Sequence, residues 1–345
     1  MCRWRGWPQR RRPYRFGWAI KKTVLITTFV YRNGRTERVP TVDPAWLAPS
    51  SGVFIWVDLA GPTPEEARIL TDVFHFHELA VEDAISALQY PKLEAYDGFL
   101  YLVLHGIDFR AGKHGFTTHD LDFFLGRSFL VSVHDGNRRS IAQVRDHCDR
   151  NGHLLARGPV AVLHQIVDSL IDHYNPEVDA LEERLDHIET EVFSNPKPTV
   201  VRKILTLKRD IAALRRIALP QRDALGRLAR REFEMIPQEF AYGFRDVYDH
   251  VVRITDEALI FQDRVTGILE AHFSNVSNRL NQVMKVLTVI ATIFMPLTVF
   301  TGAFGMNVEL PVFPGGPAMQ FWWISGIMIV ISGIMLWLFR RQKWM

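Results

Sequence analysis

Residues 286–304, VLTVIATIFMPLTVFTGAF, form a run of 19 residues without a charged, His, Asn or Gln side chain. A second run of 19 such residues, FWWISGIMIVISGIMLWLF, occupies positions 321–339. At about 1.5 Å per residue, either run makes a helix that nearly spans the roughly 30 Å hydrocarbon core of a bilayer. Both runs are apolar on every face, whereas a helix packed on a soluble core keeps a polar side. The sequence therefore predicts two transmembrane helices near the C-terminus.

Basic residues flank the pair of runs, with Lys285 before the first and Arg340, Arg341 and Lys343 after the second. The loop that connects them, 305–320, has no Lys or Arg. The positive-inside rule then predicts a multi-pass protein with both termini cytoplasmic, and we expect the cell inner membrane as its location.

The first 22 residues carry eight basic residues and no acid, and they lack the apolar segment of a secretory signal. We expect a solvated extension that contacts anionic lipid of the bilayer rather than nucleic acid. Cys2 and Cys148 provide no disulfide framework, which fits a reducing compartment.

Short β-type runs alternate with short helical patterns over residues 23–155, which predicts an α+β or α/β domain. The first run precedes Asn33-Gly34, a tight-turn signal. Thr63 to Glu66 (TPEE) combine a capping box with a proline at the first helical position. The predicted strands are 24–31, 53–58, 99–107, 121–125 and 129–134.

Residues 156–285 have helical patterns throughout. An acidic helix is predicted over 177–192 and a basic one from about 199 to 219. Their opposite charges indicate either an antiparallel pair with facing ion pairs or two merely solvated faces. From Pro237 to Pro296 no proline interrupts a single helix of roughly 60 residues, about 90 Å long. It carries a heptad-like seam that needs partners, most simply copies of itself: Val247, Val251, Ile254, Ala258, Phe261, Val265 and Ile268.

A stripe of helical spacing runs along the first apolar run, and it lines either a pore or a helix–helix contact. Asn281 lies at its cytosolic end, and Gly305-Met306-Asn307 closes the outer end. The stripe contains Met284, Leu287, Ala291, Met295, Thr298 and Gly302.

The amide at the outer end suits Mg²⁺, which holds its waters tightly. Copies of Asn307 around an axis would accept hydrogen bonds from that water without trapping the ion as carboxylates would. Gly305 permits a sharp exit of the backbone from the helix. Glu309 adds a negative charge that concentrates cations at the mouth. Since two helices cannot enclose a pore, transport requires several copies in a ring.

Residues 277–307, which end in Gly-Met-Asn, resemble the CorA family of magnesium channels, whose hallmark is this tripeptide after the first of two C-terminal spans. Further matches are VED at 81–83, FRDVYD at 244–249 and the terminal RRQKWM at 340–345. The resemblance covers residues 23–345.

The resemblance implies an α/β N-terminal cytosolic domain, long helices and two transmembrane helices, assembled as a funnel-shaped homopentamer. It implies pore positions at Asn281, Leu287, Met295, Thr298, Gly302 and Asn307, with Gly305, Met306, Asn307 and Glu309 as the selectivity filter. Intracellular regulatory Mg²⁺ would be held by Asp83 with Glu82 and by Asp246, with Asp168 as a further match. Lys285, Arg340, Arg341 and Lys343 would form a basic ring.

The resulting domains are an extension (1–22), an α/β domain (23–155), a helical region (156–285), the first span (286–304), an external loop (305–320), the second span (321–339) and a basic tail (340–345).

Alternatives remain at this point. Co²⁺ and Ni²⁺ are expected as further transported ions. A Zn²⁺ transporter of the same superfamily is disfavoured because the stripe offers zinc only the thioethers of Met284 and Met295. The pattern His75-x-His77-Glu78 resembles a ligand cluster, although a structural role is favoured.

The sequence lacks GxxxxGK[ST], GxSxG and HExxH, so we expect no enzyme and no organic cofactor. A non-conducting coiled-coil scaffold would not need Asn307 and Glu309.

Overall fold

A computed structural model describes residues 25–86, 89–109, 116–136, 138–150, 152–194, 198–306 and 317–342. The basic extension at 1–22 lies outside these residues. The chain divides into two compact units, Met1–Asp186 with Leu205–Asp263, and His187–Ile204 with Arg264–Met345.

The first unit contains a seven-stranded sheet in the order β2-β1-β3-β7-β6-β5-β4. β3 and β7 pair in parallel at its centre, and every other neighbouring pair is antiparallel. The strands are β1 (Leu25–Arg32), β2 (Arg35–Val39), β3 (Phe54–Ala60), β4 (Lys92–Tyr96), β5 (Phe99–Phe109), β6 (Phe116–Gly126) and β7 (Phe129–His134).

Helices cover both faces of the sheet, which makes the α/β domain that the sequence predicts. On one face α1 (Arg68–Asp72) and α2 (Glu78–Ile85) bury an aromatic and aliphatic core. On the other face lie α3 (Arg139–Arg150), α4 (His153–Ala156) and α5 (Pro159–Asp172).

Local sequence signals are confirmed where they specify backbone geometry. Asn33 and Gly34 both have positive φ, 51° and 77°, as a two-residue hairpin turn requires. Thr63 and Glu66 form the reciprocal hydrogen bonds of the capping box, with backbone N–H to side-chain distances of 2.8 and 3.3 Å. The expectation that Pro64 is the first helical residue is wrong, since residues 64–67 form a turn and α1 begins at Arg68. All five predicted strands exist, but β2 and β4, the short edge strands, were not predicted because neither has an apolar run.

The acidic and basic helices are α6 (Asn175–Ser194) and α7 (Val200–Ala229). The ion-pair interpretation is confirmed by Lys203 Nζ, 2.6 Å from Glu191, and by Arg184, 2.7 Å from Asp210. The predicted end of the basic helix at 219 is wrong, since α7 continues through Pro220. A proline removes one hydrogen bond from a helix and clashes with the preceding turn. Residues on both sides of Pro220, Gln221 among them, are buried, and this packing outweighs the cost of the proline.

The predicted long helix is α8 (Gln238–Phe304), 67 residues and about 100 Å in length. All seven seam residues are buried within a single chain. Contacts from α7 and α6 flank the seam, at Arg215 to Gln262 (2.8 Å) and Arg264 to Glu189 (2.7 Å). The expectation that copies of the helix cover this seam is therefore wrong, because α6 and α7 of the same chain supply the partners.

Candidate functional site

Two helices of the second unit are long and apolar enough to cross a membrane, the C-terminal part of α8 and α9 (Pro317–Arg341). The first ends at Phe304, at the predicted residue. α9 extends the predicted second span by a few residues at each end.

The less exposed residues of α8 in the apolar run share one face of the helix, which carries Val289, Ile293, Pro296, Phe300 and Phe304. Pro296, Phe300 and Ile331 of α9 line one shallow depression, whose rim also includes Met295 of the stripe. At 3.6 residues per turn, the predicted pore stripe lies on the opposite face of α8. All seven residues from Asn281 to Gly302 in that stripe are exposed, so no residue in the described part of the chain covers the stripe.

The two ends of the stripe differ in chemistry. Asn281 lies with Asn278, Gln282 and Lys285 around a polar depression. Near the other end of the stripe, the hydroxyl of Thr298 donates to the Phe294 carbonyl at 2.9 Å. The apolar middle is therefore bounded by amides at its N-terminal end.

At the C-terminal end of the stripe, the Gly305 N–H donates to the Thr301 carbonyl at 2.9 Å. The φ angle of Gly305 is not in the left-handed region, but a Cβ there would lie 3.1 Å from the same oxygen. A lack of room, rather than positive φ, favours glycine at this position. Met306 is exposed, while Asn307 and Glu309 lie outside the described residues.

The basic residues near the membrane are exposed. Lys285 lies on α8, and Arg340 and Arg341 end α9. Arg341 stacks over the Trp337 ring, with its guanidinium carbon 5.5 Å from the centroid. Lys343 lies outside the described residues, so the predicted basic ring stays a prediction.

Asp83, the first predicted regulatory acid, lies on α2 and already has a cation. Lys92 Nζ lies 2.6 Å from Asp83 and 3.0 Å from Glu94. Burial lowers the pKa of Lys92, but the two carboxylates outweigh it and raise the pKa above its ordinary value. The neighbouring Glu82 is exposed. A metal ion at Asp83 would therefore compete with Lys92.

The structure brings Asp168 on α5 and Asp246 on α8 together within one chain. Burial raises the pKa of Asp168, and Asp172 and Asp246 raise it further, while His164 and His250 oppose the shift. Three of these five groups, His164, Asp172 and His250, were not singled out in the sequence. Their i, i+4 spacing from Asp168 and Asp246 is the signal that could have identified them.

Among the described residues no cluster of three or more His, Cys, Asp or Glu could hold a metal ion. The histidine pattern on α2 has structural roles, as favoured. His75 Nδ1 lies 3.0 Å from the Thr71 carbonyl, and His77 accepts the Leu79 N–H as the N-cap of the helix.

Comparison with known proteins agrees with this architecture. The sequence profile of the CorA-like Mg²⁺ transporter protein family matches residues 51–341. YfjQ of Bacillus subtilis (strain 168) is 31% identical over 331 residues, which cover 94% of this chain and 98% of that protein. The cobalt/magnesium transport protein CorA of Thermotoga maritima is 30% identical over 321 residues, which cover 91% of this chain and 89% of that protein.

The fold also matches the complete structure of the CorA magnesium transporter from Methanocaldococcus jannaschii, with a TM-score of 0.79 and 21% identity over 94% of this chain and 99% of that one. This match shows that the α/β domain, the long helix and the two apolar helices have the fold of that protein. The family match and the 31% identical relative show that the chain belongs to the CorA-like Mg²⁺ transporter family, whose members are transporters and not enzymes.

Proposed function

We propose that this chain forms a homopentameric channel that takes up hydrated Mg²⁺, and also Co²⁺ and Ni²⁺, across the inner membrane. The observation that carries the proposal is the free face of α8. It presents the stripe away from the side that meets α9, and it leads directly to Gly-Met-Asn. A ring of copies would turn this face towards a common axis and leave α9 on the lipid side.

The chemistry of the stripe supports passage of an ion that keeps its water. Mg²⁺ dehydrates reluctantly, and the amides of Asn281 and Asn307 can accept hydrogen bonds from its hydration shell. Between them the apolar stretch around Leu287 and Met295 can exclude water when the ring is narrow. Glu309 would raise the local cation concentration at the mouth.

Ion flux into liposomes tests the proposal directly. Proteoliposomes made with the purified full-length chain and loaded with a Mg²⁺-sensitive dye are expected to fill with Mg²⁺ when a negative internal potential is imposed. Empty liposomes provide the baseline. Filling no faster than that baseline, with the protein correctly inserted, would favour the non-conducting scaffold.

The orientation gives a separate prediction. Because the loop between the spans has no Lys or Arg, we expect it outside the cell and both termini in the cytoplasm. A cysteine at Gly316 should react with an impermeant thiol reagent added to intact cells, whereas one at Gln342 should react only after lysis. The reverse pattern would contradict the orientation, and Cys2 and Cys148 are replaced by serine in both variants so that only the new thiol is labelled.

A further inference from the structure

Lys92 lies beside Asp83, the residue at which a regulatory Mg²⁺ is predicted, and the edge strand β4 holds it there. Lys92, Glu94 and Tyr96 alternate along β4, so their side chains share one face of the strand. Their partners on β5 belong to the core that packs under α1 and α2. The strand therefore presents an ammonium group towards α2, the helix that carries Asp83.

The ammonium group of Lys92 contacts two carboxylates at once. Its Nζ lies 2.6 Å from Asp83 Oδ2 and 3.0 Å from Glu94 Oε1, and it lies 5.3 Å from the centroid of the Tyr101 ring. The other oxygen of Glu94 accepts the Tyr96 hydroxyl at 3.0 Å. Because this second contact holds Glu94 in place, Glu94 can keep Lys92 when another cation binds Asp83.

The exposure of the three charged groups shows that the contact can be broken. The side chains of Lys92, Asp83 and Glu94 are 27%, 30% and 40% exposed. Water screens ion pairs of this kind, and their net contribution to stability is small. A fully buried pair would instead leave an uncompensated charge when one partner is lost. A divalent cation that approaches Asp83 from solvent can therefore displace the ammonium group without disrupting the fold.

The carboxylate of Asp83 suits a cation, since an ammonium group already binds it. Among the described residues no cluster of three or more His, Cys, Asp or Glu could hold a metal ion, so an ion at Asp83 needs further ligands, which the predicted arrangement takes from a neighbouring subunit. The cation that the fold itself places at Asp83 is Lys92. An ammonium group 2.6 Å from Oδ2 repels a second cation at the same carboxylate, so metal binding and this contact oppose each other.

We infer that Lys92 is a built-in competitor for the regulatory ion and sets the Mg²⁺ concentration to which the protein responds. Lys92 moves between two arrangements. At low Mg²⁺ it bridges Asp83 and Glu94, and when the ion binds it keeps Glu94 alone. Lys92 has this role only if Asp83 has its predicted regulatory role in the proposed channel. The sensitivity of the site then depends on a residue that is not a ligand of the ion.

Limited proteolysis of the full-length protein in detergent, titrated with Mg²⁺, tests this role without reference to transport. Lys92→Gln keeps a side chain of similar reach but removes its charge. The Mg²⁺ concentration that gives half-maximal protection should then fall about 5- to 20-fold, because an ion pair and the repulsion of a divalent ion by a nearby ammonium group are both lost. General damage to the fold would raise this concentration instead.

Two matched variants separate the contact from the overall charge of the protein. Lys208→Gln removes an exposed lysine of α7 in the same unit and should leave the half-maximal concentration unchanged. Lys92→Arg keeps a positive charge beside Asp83 and should stay close to the parent. Protection of Lys92→Gln at the parent's Mg²⁺ concentration, or an equal shift in Lys208→Gln, would overturn the inference.

Glu94 tests the movement between two partners. Glu94→Gln leaves Lys92 with Asp83 alone, so the ammonium group should compete more strongly and the half-maximal Mg²⁺ concentration should rise. In the Lys92→Gln background the same change should have little effect, because no ammonium group remains for Glu94 to hold. An equal rise in both backgrounds would make Glu94 part of the metal site and contradict the two arrangements of Lys92.

Two results distinguish the role of Lys92 from the proposed function itself. Mg²⁺ uptake by the parent in proteoliposomes tests the channel separately from the proteolysis assay. If the parent conducts and Mg²⁺ protects it, but Lys92→Gln responds at the same concentration, only the role of Lys92 is refuted. If Mg²⁺ gives the parent no protection at any concentration, the regulatory role of Asp83 is refuted, and the role of Lys92 with it.

Discussion

Replacing Asn307 by alanine is expected to abolish Mg²⁺ uptake while the protein still assembles. Asn307 is the amide that follows directly on the end of α8, after Gly305 and Met306. Alanine removes the carbonyl that would accept hydrogen bonds from the water around Mg²⁺, so the hydrated ion loses its binding site at the entrance. Uptake is measured in proteoliposomes loaded with the dye, and assembly by gel filtration in detergent.

The control for this variant is Gln342→Ala, which removes an amide beyond the end of α9. It should transport as the parent does, because Gln342 lies outside the stripe and the tripeptide. Normal uptake by a correctly assembled Asn307→Ala protein would refute the role given to the amide ring. Loss of uptake in both variants would show that the assay responds to damage at the helix ends rather than to the filter.

The elements with strong periodicity were predictable because one physical signal dominates each of them. α8 has heptad-spaced apolar residues and then a run without charges, so any helix that starts near Pro237 continues to Gly305. The interior strands β3, β5 and β7, none of which is at an edge of the sheet, are apolar runs typical of a buried sheet. The Asn33-Gly34 turn demands positive φ, which few other residues adopt.

The predictions that were wrong concern features that depend on contacts between residues distant in sequence. The seam of α8 was predictable as buried, but its partners were not, because α6 and α7 cover it from positions 40 to 80 residues earlier, as in the pairs Arg215–Gln262 and Arg264–Glu189. The helix through Pro220 likewise depends on packing that outweighs local propensity. A pattern shows that a face is buried and does not identify what buries it.

The candidate site was likewise predictable from the sequence only in part. The end of the helix at Phe304 was predictable from the sequence, whereas the stripe before it could be either a pore lining or a helix–helix contact until the structure showed it exposed. The contact of Lys92 with Asp83 does not, because the two residues are on a strand and a helix that only the fold brings within 2.6 Å. Sequence resemblance identified the acid but not the cation that already neutralises it.

The contact between Lys92 and Asp83 bears on a prediction about how intracellular Mg²⁺ closes the channel. This prediction rests on the regulatory role proposed for Asp83 and Asp246. Asp246 lies 35 residues before Asn281 on α8, about 50 Å along a continuous helix. It is therefore too distant to touch an ion in the pore. We expect a bound Mg²⁺ to link the carboxylates of neighbouring subunits. Because the ion then binds the closed state more tightly than the open one, it shifts the equilibrium towards the closed state.

The variant D83A/D246A should therefore keep conducting at internal Mg²⁺ concentrations that silence the parent. A coupling of 1–3 kcal/mol corresponds to a shift of about 5- to 150-fold in the Mg²⁺ concentration that half-inhibits transport. Alanine is preferable to lysine here, because a new cation could pair with the remaining acids and imitate the metal. The fold should tolerate the change, since Lys92 keeps Glu94 at 3.0 Å and partly exposed ion pairs contribute little, about 0–1 kcal/mol.

A second measurement separates loss of the regulatory ion from general damage to the protein. Mg²⁺ should protect the parent against limited proteolysis, and this protection should disappear in D83A/D246A. The control D97A/D223A removes two exposed carboxylates of the same unit and should keep both inhibition and protection. If internal Mg²⁺ inhibits D83A/D246A at the same concentration as the parent, these two carboxylates are not the sensor, and the pair formed by Asp168 and His164 on α5 becomes the next site to test.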